Sequence, residues 1–313
     1  MLTQGPQSRE PVLLPDFFVV GAAKSGTTLL HDYLAQHPEV SMPTQKEPRF
    51  FSFADSPPCF ASPDNLDNSI TSLSEYLSLF EQADRDKKLG DASPSYLYLH
   101  QQTIRNMERF YDPRDLRQVH IIVLLRQPAD RAWSQYWSFA RLLQEPLPYE
   151  QAIKPEHIQQ RLQTNWNVFY DYLGFGAYTS QVRAYMAQFG RQNVSVYLFE
   201  DLISDPLALC RTVFKTIGVD DGFIPKELGA RNPSGEPRSQ ALIKLLTASS
   251  PIKAAFKAIV PKAQRQRLRE ILAHVLLKKV AQPAKLRREL TRYFSDDIDS
   301  LGELIQRDLS HWK

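Results

Sequence analysis

The chain has 313 residues, 42% apolar and 23% charged, with 17 Phe, 13 Tyr and 4 Trp. That excludes a disordered or collagen-like chain and leaves ample material for a hydrophobic core. Lys and Arg outnumber Asp and Glu by only 38 to 35, too small an excess for a dedicated nucleic-acid binder.

Residues 1–15 are polar and lack the charged start and apolar centre of a secretory signal, so a disordered lead-in is expected there. Asp16–Gly21 is an aromatic and β-branched run ending at glycine, the pattern of a buried strand. Thr27 to Gln36 places Leu29, Leu30, Tyr33 and Leu34 at helical spacing, stopped by His37-Pro38. Val119–Leu125 predicts a second buried strand, and Pro128 then opens a helix that runs through Trp133, Trp137 and Leu142. Tyr178–Phe189 predicts a helix, Val194–Phe199 a strand and roughly 206–217 another helix. Strands alternating with helices imply parallel pairing with both sheet faces covered. Beyond about residue 238 the pattern is helical only, broken by Pro251, Pro261 and Pro283. The expected architecture is an α/β, P-loop-like three-layer fold with a central, mostly parallel sheet. It forms a single domain over 16–313 with 238–313 as a helical C-terminal section.

No run of about 18 apolar residues occurs, so no membrane span is expected. Cys59 and Cys210 stand far apart with no CxxC or Cys/His cluster. Neither a disulfide scaffold nor a structural zinc site is expected, and a reducing cytoplasm is the expected compartment. Charge is uneven: residues 251–292 carry twelve Lys/Arg against Glu270 and Glu289. Solvated helix faces explain such a run. The alternative is peripheral attraction to an anionic membrane surface.

Gly21-Ala-Ala-Lys24-Ser25-Gly26-Thr27-Thr28 joins the first predicted strand to the first helix. Small residues let the backbone approach an anion, and the loop amides and helix N-terminus supply donors and partial positive charge. The spacing nearly matches the nucleotide-binding GxxxxGK[ST] loop, yet Thr27 occupies the lysine position and the lysine is Lys24. The second buried strand ends in Arg126, with no carboxylate for Mg²⁺. A cation without a metal-holding acid argues against a kinase or ATPase and for a metal-free transfer.

Lys24-Ser-Gly-Thr-Thr28 after Phe-Phe-Val-Val-Gly resembles the 5′-phosphosulfate loop of sulfotransferases that use 3′-phosphoadenosine 5′-phosphosulfate. Leu125-Arg126-Gln-Pro-Ala-Asp-Arg131-Ala-Trp-Ser134 resembles their 3′-phosphate motif. Gly174 to Gly218, with Phe199-Glu-Asp-Leu202 and Asp205-Pro206, resembles the family's next segment, and Tyr293 to Trp312 is similar to the end of its heparan-sulfate-type, carbohydrate-modifying branch. The resemblance implies a soluble, bacterial-like member that moves a sulfuryl group to an alcohol, on a carbohydrate acceptor, without a metal. Two rivals stand: a P-loop nucleotide kinase or ATPase, against which Lys24 and Arg126 speak, and a non-catalytic membrane-surface adaptor using the 251–292 helices.

By the resemblance, Lys24 neutralises the departing oxygen, Ser25, Gly26, Thr27 and Thr28 hold the 5′-phosphosulfate, and Arg126 and Ser134 bind the 3′-phosphate. Lys46-Glu47-Pro48-Arg49-Phe50-Phe51 resembles the heparan-branch stretch whose glutamate is the catalytic base, which carries over to Glu47. Arg49 stands where some 3-O-sulfotransferases have histidine. Gly90-Asp91-Ala92-Ser93-Pro94-Ser95-Tyr96 resembles the acceptor-side Glu-Lys-Ser-Pro-x-Tyr segment. Lys46, Arg49, Ser93, Ser95 and Tyr96 are therefore expected at the acceptor. Ala92 replaces a lysine that would help hold an acidic sugar. Arg231 and Arg238, in a Pro/Gly/Ser-rich basic loop, are expected to close over the 3′-phosphate. Of the seven histidines none sits in a comparable motif, and His31, His100 and His120 are read as structural.

Overall fold

In a computed structural model, the described residues are 13–64, 66–84, 86–142, 144–226, 236–237, 277–278 and 281–313. Arg231, Arg238 and residues 251–276 lie outside them. The elements run β1 Phe17–Gly21, α1 Thr27–Leu34, β2 Val40–Ser41, α2 Phe50–Phe53, α3 Leu73–Ser78, β3 Lys88–Ala92 and α4 Ser95–Tyr98. Next come α5 His100–Phe110, α6 Pro113–Leu116, β4 His120–Leu125, α7 Pro128–Ala140, α8 Tyr149–Ala152 and α9 Pro155–Gln163. The chain continues with α10 Tyr178–Phe189, β5 Val194–Leu198, α11 Phe199–Ser204, α12 Pro206–Ile217, α13 Ala284–Tyr293 and α14 Ser295–Ile305. Among the described residues no helix is long and apolar enough to cross a membrane.

Two compact units divide the chain. The first comprises Met1–Pro58, Leu66–Arg126 and Thr179–Gly229. Its five-stranded sheet has the order β2-β3-β1-β4-β5, and every pairing is parallel. All five residues of β1 are buried, as a central strand covered on both faces requires. Alternation divides those faces. Phe17 and Val19 join Leu30, Leu34, Ile122, Leu124, Val213 and Phe214 in one cluster. On the other face Phe18 meets Phe51, Tyr96 and Tyr111 edge-on. Helix α12 begins where Asp205 Oδ1 accepts the Ala208 N–H at 3.0 Å, with Pro206 in its first turn, and ends at the left-handed Gly218.

The second unit comprises Cys59–Asn65, Gln127–Tyr178 and Ala230–Lys313. Gln127 caps α7 by accepting the Asp130 N–H, while its Nε2 donates to Thr291 Oγ1 and to the Trp312 carbonyl. Arg131 is wholly buried, donates to the Tyr172 carbonyl and lies over the Phe175 ring. Glu145 accepts both arms of Arg161, at 2.9 and 2.6 Å, and the Tyr172 hydroxyl at 2.6 Å. Helices α13 and α14 supply the described part of the C-terminal section. A two-residue antiparallel bridge pairs Glu236–Pro237 with Leu277–Lys278, and the latter is extended backbone in a stretch expected to be helical only.

Candidate functional site

The strand order places a crevice at the carboxyl ends of β1 and β4. From β1 the chain runs out toward β2 and returns through β3, whereas from β4 it leads to β5 on the other side. Open parallel sheets bind ligands at such a switch point. The loop after β1 and the residue after β4 meet there: Arg126 Nη1 donates to the Lys24 carbonyl at 3.4 Å, and its guanidinium sits 4.7 Å above the Phe199 ring. Within the loop, Lys24 and Gly26 adopt left-handed backbone, φ 70° and 94°. A Cβ on Gly26 would lie 2.7 Å from Leu202 Cδ2 and 3.1 Å from the Phe199 ring. No side chain caps α1, and the N–H groups of Leu29 and Leu30 both donate to the Gly26 carbonyl. Ser25 is fully buried, and its Oγ has no partner within the protein.

Before α2 the chain brings a second charged group to this unit. Lys46 Nζ donates to Thr28 Oγ1 at 2.5 Å and lies 3.5 Å from Glu47 Oε1. Arg49 Nη2 donates to Glu47 Oε2 at 2.8 Å, and its Nη1 donates to Asn68 Oδ1 at 3.0 Å. Glu47 is thus held between two cations, one of which also donates to Thr28 on α1. Both Glu47 and Arg49 adopt left-handed backbone, φ 55° and 57°. For residues with a Cβ such a conformation costs on the order of 1–3 kcal/mol, and it persists only where the surroundings impose it.

The surroundings here are a buried polar cluster. Ser93 Oγ accepts the Arg49 N–H at 3.1 Å and Tyr96 Oη accepts the Phe51 N–H at 3.3 Å. Ser95 Oγ shares a hydrogen bond with Ser52 Oγ at 3.0 Å. Ser93, Ser95 and Tyr96 are 0% exposed, so the hydroxyls expected to meet an acceptor face the protein's own network instead. At its centre is Asp91, also 0% exposed and drawing O–H donors from Ser93, Tyr96 and Tyr76. Burial pushes its carboxyl up to about 6, against the pull of those three hydroxyls and with a smaller push from the Glu47 charge.

Sequence motifs singled out no role for Asp91 or His31. His31 lies on α1, one turn beyond Thr28, with Nδ1 3.3 Å from Asp32 Oδ1. Burial lowers its pKa, aided by the Lys46 charge and opposed by Asp32 and Glu47. The signal for Asp91 was present only as a carboxylate followed closely by the hydroxyls of Ser93, Ser95 and Tyr96, the donors that a buried carboxylate requires. Ser134 lies half-buried on α7 in the second unit.

A sequence model described as "Sulfotransferase family" matches residues 15–225. The chain belongs to the sulfotransferase family. This sulfotransferase-family chain is 28% identical over 131 residues to the membrane-associated sulfotransferase kil1 of Dictyostelium discoideum. That match takes in 42% of the chain and spans only 24% of kil1's length. Among solved structures, a sulfotransferase from Alicyclobacillus acidocaldarius is 29% identical and superposes with a TM-score of 0.74, over 96% of this chain and 99% of that one. The family match begins just ahead of β1 and runs through α12. It therefore contains the loop after β1, Glu47, Asp91 and Arg126.

Proposed function

We propose that this family member transfers a sulfuryl group from 3′-phosphoadenosine 5′-phosphosulfate to a hydroxyl of a carbohydrate acceptor. The observation that carries the reading is the unmet donor set after β1. Ser25 Oγ is buried without a protein partner, α1 lacks a side-chain cap, and the backbone passes through a Gly26 that leaves no room for a Cβ. Such a cradle fits an anionic phosphosulfate. When bound, the donor supplies an activated sulfuryl group and a nucleotide leaving group.

In this reading Ser25, Gly26, Thr27 and Thr28 bind the 5′-phosphosulfate through N–H and O–H donors. Lys24 Nζ neutralises the charge that grows on the departing oxygen, where a placed cation is worth most. Arg126 holds the 3′-phosphate by a charge-assisted contact. Glu47 takes the acceptor's proton on a carboxylate oxygen, and Lys46 and Arg49 fix where that oxygen points. Because β4 leads into Arg126 rather than an acid, the reading needs no divalent cation. A carbohydrate acceptor rests on the Lys46–Phe51 resemblance.

Labelled-sulfate transfer from the donor to a cell extract, with mass spectrometry of the product, tests both the reaction and the acceptor class. In Glu47→Gln, turnover should fall about 10²-fold, while adenosine 3′,5′-diphosphate still raises the melting temperature. Absence of both transfer and a thermal shift in the wild-type protein would overturn the reading.

A further inference from the structure

The turn that carries Glu47 is held from beneath by two hydroxyls. The N–H groups of Arg49 and Phe51 donate to Ser93 Oγ and Tyr96 Oη. A hydroxyl has one proton, and it presents lone pairs to a backbone N–H only when that proton points elsewhere. Here both protons go to one carboxylate. Ser93 Oγ donates to Asp91 Oδ1 at 2.8 Å, and Tyr96 Oη donates to Asp91 Oδ2 at 2.7 Å. Tyr76 Oη adds a third donor to Oδ2 at 2.9 Å. All four side chains are sealed from solvent, and among the described residues no cation pairs with Asp91.

We infer that Asp91 is a positioning residue for the Glu47 turn: by accepting the Ser93 and Tyr96 protons it aims both hydroxyl oxygens at the Arg49 and Phe51 amides. The inference takes the role of Glu47 from the sulfotransferase reading; the held turn itself does not depend on it. Only an acid with two accepting oxygens does this. In Asp91→Asn the amide NH₂ must donate to Ser93 or Tyr96, and that hydroxyl's proton is then turned back toward the backbone N–H it should receive. Other bonds of the turn, among them Arg49 Nη1 to Asn68, the Ile70 N–H to the Pro48 carbonyl and Asn106 Nδ2 to the Phe51 carbonyl, restrain it without replacing those two amide bonds.

The test reads the turn and the reaction separately. In Asp91→Asn, hydrogen exchange of the Arg49 and Phe51 amides in the free protein should quicken about tenfold or more. Its kcat should fall about 10- to 100-fold, with the donor KM and the affinity for adenosine 3′,5′-diphosphate within about threefold of wild type. Ser93→Ala should loosen Arg49 alone, and Ser93→Thr, which keeps the hydroxyl, should restore it. That pair also carries the test if Asp91→Asn does not fold. Tyr111→Phe removes another buried hydroxyl of the same aromatic cluster, which donates to the Pro15 carbonyl, and controls for lost stability. It should lower the melting temperature without changing kcat. Wild-type exchange at both amides in Asp91→Asn, or a kcat loss no greater than that of Tyr111→Phe, overturns the inference. If the wild-type protein neither binds the diphosphate nor transfers sulfate, the sulfotransferase reading fails, and the exchange measurement still decides for or against Asp91.

Discussion

The loop after β1 and the turn before α2 both contain left-handed backbone, and they sustain it by different means. In the loop, Gly26 reaches φ 94° with no Cβ to place, and only Lys24 bears the conformation with a side chain. In the turn, Glu47 and Arg49 are both left-handed on either side of Pro48, with no glycine at all. What glycine does from within the loop, Ser93, Tyr96, Asn68 and Asp91 do from outside the turn. The loop is consequently a local device written into eight consecutive residues. The turn is a tertiary device whose parts come from β3, α2, α4 and the chain between them.

Buried carboxylates repeat the contrast. In the second unit Glu145 meets Arg161 in a two-armed pair and works as a strut. In the first unit Asp91 meets hydroxyls alone, and each of two hydroxyls passes the restraint on to a backbone amide.

Three measurements sharpen this comparison. Lys24→Ala strikes the loop's cation and should lower sulfate transfer about 10³-fold, with a melting temperature close to wild type. A loss under tenfold would remove Lys24 from the reaction. Next in size is the pH dependence set by Asp91. Its folded value of about 6 lies above the ordinary 3.8, so between about pH 4 and 6 the folded protein binds the extra proton. Asp91 therefore contributes stability that is full below about pH 4 and lost as pH rises through about 6, on the order of 3 kcal/mol in all. Measured against Asp91→Asn, which binds no proton at this position, the urea midpoint of wild type should fall as pH rises across that window. Tyr76, Tyr96, Ser93 and Glu47 are the groups facing Asp91 whose substitution would move the window. Smallest is Gly26→Ala, which forces a Cβ toward Leu202 and Phe199 at a left-handed position. It should cost about 1–3 kcal/mol in unfolding free energy and weaken adenosine 3′,5′-diphosphate by isothermal calorimetry. Unchanged stability would mean Leu202 gives way freely.

Local pattern was enough for the long elements. The strand over Asp16–Gly21 appears at Phe17–Gly21, the one over Val119–Leu125 at His120–Leu125, and Tyr178–Phe189 is helical over its whole predicted length. These segments are strongly apolar or strongly periodic, and burial then favours one conformation. Strand β3 was not legible, because Lys88-Leu-Gly-Asp-Ala carries glycine and aspartate, poor strand formers on their own. Its place between β2 and β1, not its propensity, makes it a strand. For the same reason Ser93, Ser95 and Tyr96 read as polar surface toward an acceptor, although three hydroxyls beside a carboxylate are also what a buried network needs.

From the order of residues alone came the α/β alternation, the small-residue loop after β1 with its displaced lysine, and the arginine at the end of β4. All of these are short-range: their meaning lies in neighbours a few positions away. Which loops meet at the switch point, and that Glu47 sits between Lys46 and Arg49 on a turn braced by Asp91, required the packed chain. Hydrogen bonds between residues some forty positions apart leave no periodicity to read, and only the closed core brings their donors and acceptors within reach.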